Sequence, residues 1–376
     1  MQGNVAFSSG SGRPAVAMDL TADHINLVPY QTQEEDEKQK DKKVFSSKKI
    51  DLAGLRAVDA DISLKAARFL TRDANFRDLE LKVALNSGDL RVQSAGGIAG
   101  GSLDSDIRFN AAGGTPVFNA RLDIKNLLPE RLPALQEDPV IREGRTDIHF
   151  EGRGAGPSPA AIAASLNGRL LVTTGKGRLL NKATSFAGAD VIFSTFRMLN
   201  PLAEKEEDSE LICGVLNFDI KDGIALAENG IALQTSKVNV LGSGAVDLKT
   251  EAIDFRAKPK AREGVGINLA QLGDAVYIGG TLANPRPATD VKGALKTAGT
   301  VGTAMATGGL SLLAQGLFSR TFSTDDPCGV ALGKKAPGDS EAGQEDAGTA
   351  ADQKDKSTLE QAGDKVKGAF DSLFGK

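Results

Sequence analysis

Along most of the chain, apolar and polar residues alternate with a period of two. Val58, Ala60, Ile62, Leu64 and Ala66 interleave with Asp59, Asp61, Ser63 and Lys65. Leu79, Leu81, Val83 and Leu85 interleave with Glu80, Lys82 and Ala84, and Leu122 and Ile124 with Arg121, Asp123 and Lys125. Successive side chains on a strand point to opposite faces, so the pattern predicts half-buried antiparallel strands, apolar on one face and wet on the other. Turn signals punctuate them at Asn86-Ser87-Gly88-Asp89, Ala95-Gly96-Gly97, Gly100-Gly101, Lys221-Asp222-Gly223 and Gly242-Ser243-Gly244. The stretch Gly88–Ala111 is loosely repeated by Asp222–Pro259: a strand after an Asp/Gly turn, a Gly-rich turn, then an alternating strand pair. A meander of similar hairpins extends a sheet in one direction.

A few segments break the alternation. Residues 31–49 (QTQEEDEKQKDKKVFSSKK) form a charge run, acidic then basic, expected to be a solvated and mobile insertion. From Asn126 to Val140 the chain is Pro-broken (NLLPERLPALQEDPV) and reads as a short helix or connector. Pro157-Ser158-Pro159 opens a short helix over Ala160–Leu166, and Ala187–Met198 has apolar residues near helical spacing ahead of Asn200-Pro201. These make 160–200 a region of short helices within a β region spanning 1–333. A small-residue helix is expected over 297–318, a polar disordered linker over 334–357, and an amphipathic tail helix over 358–376 with Leu359, Val366, Phe370, Leu373 and Phe374 on one face.

Composition narrows the function more than the fold. The chain has 376 residues, 45 Lys and Arg against 49 Asp and Glu, and a formal charge of -4, so no basic face is available to replace phosphate counterions and a nucleic-acid partner is not expected. With two His, two Cys and no Trp, there is little from which to assemble a catalytic or metal centre; an enzyme is not expected, and neither is a cofactor or metal. The longest weakly polar run, Ala304–Phe318, is shorter than the ~20 apolar residues a bilayer core demands. No signal peptide is read at the start. The first residues read instead like the middle of a strand series, so Met1 is expected to be an internal start or a cut; an ordinary start in a cytoplasmic protein is the alternative.

Several longer strings then share a resemblance. Glu143–Leu179 (EGRTDIHFEGRGAGPSPAAIAASLNGRLLVTTGKGRL) resembles the core of the AsmA family of Gram-negative envelope proteins: a Gly-led strand, a Gly-Arg-Gly turn, a short Pro-started helix, Leu-Asn-Gly and a strand. Leu211–Lys260 is similar to the family's C-terminal hallmark, with Tyr277–Leu295 and Asp325–Leu332 completing it. The resemblance spans roughly Ile50 to Leu332. It implies a mainly β fold, an elongated and curved antiparallel sheet with an open apolar groove, a few short helices and a disordered C-terminal tail. It also implies a periplasmic protein associated with the inner membrane through an N-terminal anchor, which is not read in this chain. The implied role is carrying phospholipid to the outer membrane and supporting outer-membrane biogenesis. Phospholipid acyl chains and the inner membrane are then the expected partners, with outer-membrane or periplasmic proteins as further ones.

Period-two strands leave one apolar face that something must cover, and few helices are at hand. By alternation its candidate lipid-groove residues are Leu79, Leu81, Val83, Leu90, Val92, Ile107, Phe109, Leu122, Ile124, Phe218, Ile220, Leu226, Leu233, Val238, Val240, Leu248 and Phe255. Ordinary core packing is the alternative role for each. Cys213 and Cys328 lie in family-like motifs, and an oxidising periplasm favours their pairing; two buried thiols are the alternative. His149 alternates with Ile148 and Phe150 and belongs on the polar face, and His24 is likewise read as a surface residue. Gly175-Lys176-Gly177 reads as a hairpin turn and Asn284-Pro285-Arg286-Pro287 as a rigid turn. Two other functions compete: a scaffold or assembly factor for outer-membrane proteins, and a secreted hydrolase, for which two isolated histidines are a poor basis.

Overall fold

Asp59 to Leu70 pairs with Asn75 to Asn86 along its whole length, and this hairpin is the module from which the sheet is built. The computed structural model describes residues 2–9, 12–30, 43–136, 139–180, 207–262, 276–288 and 324–334. All lie in the first of the chain's two units, Met1–Ala336. They form a mainly β protein whose seventeen strands join one open sheet. The strands are β1 (Gln2–Ser8), β2 (Ala15–Asn26), β3 (Asp59–Leu70), β4 (Asn75–Asn86), β5 (Asp89–Ile98), β6 (Gly101–Asn110), β7 (Val117–Leu127), β8 (Ile141–Arg142), β9 (Thr146–Ala155) and β10 (Asn167–Thr174). They continue as β11 (Gly177–Leu180), β12 (Asp208–Lys221), β13 (Ile224–Thr235), β14 (Val238–Asp247), β15 (Ala252–Ala261), β16 (Val276–Thr281) and β17 (Asn284–Ala288). The helices are α1 (Leu52–Ala57), α2 (Pro159–Ala164) and α3 (Pro327–Ala331).

Pairing follows chain order from β1 to β7, then runs β7–β9–β10–β12 and on to β17, while β8 and β11 extend the lines of β9 and β10. Every pairing is antiparallel except β2–β3, which is parallel, with Val16 opposite Ala60 and Leu20 opposite Leu64. Tight hairpins turn where left-handed backbone is needed: Ser87-Gly88, Ala99-Gly100 and Asp222-Gly223 all have positive φ, as two-residue hairpins of this twist require.

Opposed residues share a face, so the register sorts the sheet into two surfaces. One row reads Met18, Ile62, Val83, Val92, Ile107 and Ala120 across β2–β7. A neighbouring row reads Leu122, Phe150, Leu170 and Phe218 across β7, β9, β10 and β12. This face is mainly apolar, its inserted hydroxyls pairing with each other (Ser94 with Ser105, Thr146 with Thr174), and over β12–β15 it becomes the main core, where Leu233, Ile231, Val240 and Leu211 are fully buried. The opposite face is polar over β4–β10, but over β12–β14 it carries a second small core. There Val215, Ala232 and Leu241 pack beneath Cys328 and Ala331 of α3. A disulfide between Cys213 and Cys328, 115 residues apart, pins α3 to that face. Asp326 caps the helix by accepting from the Gly329 amide.

Several local expectations need correcting. The insertion read over 31–49 is not solvated throughout: residues 31–42 lie outside the described residues, but Phe45 is packed against the main core. Ala95-Gly96-Gly97 and Gly242-Ser243-Gly244 are strand interiors, in β5 and β14, and not turns. The reason in β14 is packing, since a Cβ on Gly244 would stand 2.6 Å from the Phe255 ring. Gly175-Lys176 is a kink in a continuing strand line, because β10 and β11 pair with β12 in one register. Asn284-Pro285-Arg286-Pro287 forms the outermost strand β17, a position that tolerates proline. The Pro-broken connector is two 3-10 turns, Pro129–Arg131 and Pro133–Leu135. The helices expected over 187–198, 297–318 and 358–376, and the linker after Lys334, lie outside the described residues.

Candidate apolar binding site

Over β2–β6 the apolar face is partly accessible, with Leu81, Val83, Leu90 and Val92 half-buried. It then descends into a trough of about 560 Å³ between β6 and β15, a volume in the range of small-ligand sites. Every described residue lining the trough is apolar. Phe109 and Phe118 stand at one side, Phe150, Leu170 and Phe218 across the middle, and Val246, Leu248 and Phe255 at the far side. The floor is opened by glycine: a Cβ on Gly152 would meet the Phe150 ring at 2.6 Å. The Phe218 and Phe255 rings lie 5.8 Å apart, tilted against one another.

Two short elements complete the wall of the trough. Helix α2 starts where Ser158 accepts from the Ala161 amide and Pro159 occupies the first turn, a favourable start because proline lacks only a donor that would be unpaired there. Ser165 fastens the helix end to β9, its hydroxyl donating to the Ala155 carbonyl and accepting from the Ala155 amide. Ile162, Ala163 and Leu166 then face the trough. The second element is the strap 43–50, which contributes Phe45 and Ile50. Its Ser46 carbonyl accepts from Ala160, and its Ile50 amide donates to Pro157.

A larger concavity, about 1420 Å³, lies on the polar face. Its charges are largely occupied with one another. Arg91 pairs with Asp106, Arg108 with Asp89, and Arg121 and His149 with Asp123. The Arg108 guanidinium holds the Asp89 carboxyl below its ordinary range, Arg91 does so for Asp106, and the hydrogen bond from His149, reinforced by Arg121, does so for Asp123. His149 is thus on the polar face, as its alternation implied. The face is a solvated ladder of ion pairs, and the apolar trough is the better binding site.

The sequence-derived groove residues divide into three groups and one exception. Phe109, Phe218, Ile220, Leu248 and Phe255 line the trough. Leu79, Leu81, Val83, Leu90, Val92, Ile107, Leu122 and Ile124 lie on the same face over β4–β7, outside its rim, with Ile107 the most exposed at 36%. Leu233, Val238 and Val240 share the face but are sealed in the core, at most 1% exposed. Leu226 is misplaced: it pairs with Asp219 and so points to the opposite face, its neighbours Ala225 and Ala227 taking the apolar side. Alternation missed Phe45, Phe118, Phe150 and Leu170. The last three sit in strands with the right parity and were legible; Phe45 was hidden inside a charge run.

No helix among the described residues is long and apolar enough to cross a membrane. Neither a curated protein nor a solved structure is significantly similar to the chain. The AsmA family model matches residues 11–196. That match takes in β2–β11, α2 and the Glu143–Leu179 string, and stops short of the three C-terminal motifs. Through residues 11–196, the chain belongs to the AsmA family.

Proposed function

We propose that this protein is a non-enzymatic carrier of phospholipid, holding acyl chains on the apolar face of its sheet and moving them between the inner and outer membranes. Its proposed location is the periplasm, in association with the inner membrane, where it supports outer-membrane biogenesis. The observation that carries the reading is the trough: a ligand-sized space whose described lining is apolar side chains alone, on the same face of the sheet as the apolar rows that run back to β2. Such a surface offers no hydrogen bonds and so selects for hydrocarbon, each buried methylene contributing about 0.8 kcal/mol. Membership in the AsmA family and an open sheet agree with an envelope role. The disulfide fits an oxidising compartment.

The test is native mass spectrometry and lipid extraction on the protein purified from a Gram-negative envelope fraction. Phospholipid is expected to co-purify, and to be lost from a Phe118→Glu, Leu170→Glu variant whose circular dichroism shows it folded. A folded wild-type protein that carries no lipid and takes up none from phospholipid vesicles overturns the reading.

A further inference from the structure

The parallel pairing of β2 with β3 imposes a return connection, because β3 must begin beside the start of β2 and not beside its end. The later described stretch of that connection, from Lys43 to Val58, is tied to turns at one end of the strands. The Val44 amide donates to Oε2 of Glu251 at 2.7 Å, and the Phe45 amide to Oε1 at 2.8 Å. Farther along, Arg56 reaches the Ala111 and Gly113 carbonyls in the β6–β7 turn. Between these ties Phe45 and Ile50 enter the wall of the trough.

Glu251 is an unusual anchor. It is 2% exposed, sits in the β14–β15 turn with φ +66, and forms no ion pair among the described residues. Each carboxylate oxygen is satisfied by one of two consecutive strap amides. A buried carboxylate is costly without donors, so the strap and Glu251 stabilise each other, and the position of the Phe45 ring follows from theirs.

We propose that Phe45 is the end stop of the trough, limiting the length of the acyl chain it takes, and that Glu251 is the residue that positions it. This rests on the reading of the trough as an acyl site. Removing the ring is expected to extend the trough toward the β14–β15 turn, where Glu251 holds the strap.

The experiment is displacement of a fluorescent fatty-acid analogue from the full chain by saturated fatty acids of increasing length. For the wild type, affinity is expected to rise roughly fourfold per added methylene, following the hydrophobic increment, and then to level off. In Phe45→Ala the plateau moves to longer chains, and in Glu251→Gln, which can satisfy only one strap amide, it moves the same way by less. Should Phe45→Ala fail to fold, Phe45→Leu decides, with a smaller shift expected. Binding with an unchanged length profile in the folded variants overturns the end stop and leaves the acyl site standing. A wild type that binds no fatty acid overturns the acyl site and the end stop with it.

Discussion

Across β5 and β6, Arg91 faces Asp106 diagonally and Arg108 reaches Asp89, while Asp123 on β7 takes bonds from Arg121 and His149. These carboxyls are held below their ordinary range. Their contribution to stability is therefore present above the unfolded carboxylate pKa of about 3.9 and is lost as pH falls through the lowered folded values. Arg91→Gln and Arg108→Gln are expected to lower the melting temperature at neutral pH, and their difference from wild type to shrink below pH ~4. Because the pairs are solvated, added salt should shrink it too. Thermal melts over a pH series check this; a difference that persists undiminished in acid contradicts it. Alternation places these charged residues on the wet parity of their strands, but which Arg meets which Asp follows only from the strand pairing. It fails at Leu226, where a run of apolar and small residues (IALA) fits either parity and only the pairing with Asp219 settles the face.

Among the elements, α3 shows how little local structure is needed when a covalent tie supplies the rest. Five residues make a helix too short to persist alone, yet they cover the second core because Cys328 is bonded to Cys213. In the chain-entropy model a closed loop of 115 residues stabilises by about 5 kcal/mol. Cys213→Ser is expected to lower unfolding free energy by about 3–5 kcal/mol and to raise amide exchange in β12–β14. Denaturant titration with hydrogen exchange tests both, and unchanged protection at Leu241 and Ala232 would count against the role of α3 as a cover. Of the elements, α2 was legible from Pro157-Ser158-Pro159, as were the hairpins that turn at Gly88, Gly100 and Gly223. The interior glycines of β14 were not, because a glycine that makes room for Phe255 looks in sequence like one that turns the chain. The strap was equally hidden: its partner Glu251 lies 206 residues beyond Phe45, and nothing near Phe45 announces it.

On the scale of the sheet, the two edges differ. The β17 edge carries Pro285 and Pro287, which cannot donate to an incoming strand. The β1 edge has no proline, all seven residues are exposed, and Val5 and Phe7 are 63% and 68% accessible. Such an edge is a template for pairing. The chain is expected to self-associate through β1 at high concentration, and Phe7→Lys to suppress this, as read by analytical ultracentrifugation; equal association in the variant would place the contact elsewhere. Sequence anticipated an open, mainly β sheet but not the parallel step at β2–β3, since alternation says which residues share a face and nothing about which strand comes next to which.

That parallel step also sets an order of events in time. The hairpins from β3 to β7 bring together residues close in sequence and can form early, whereas the strap's bonds to Glu251 span 206 and 207 residues. Contacts of such separation are slow to close, so the strap would be laid across a sheet already assembled. The strap is thus expected to be the last wall of the trough to close, and until it does hydrocarbon has a way in that the finished molecule no longer offers.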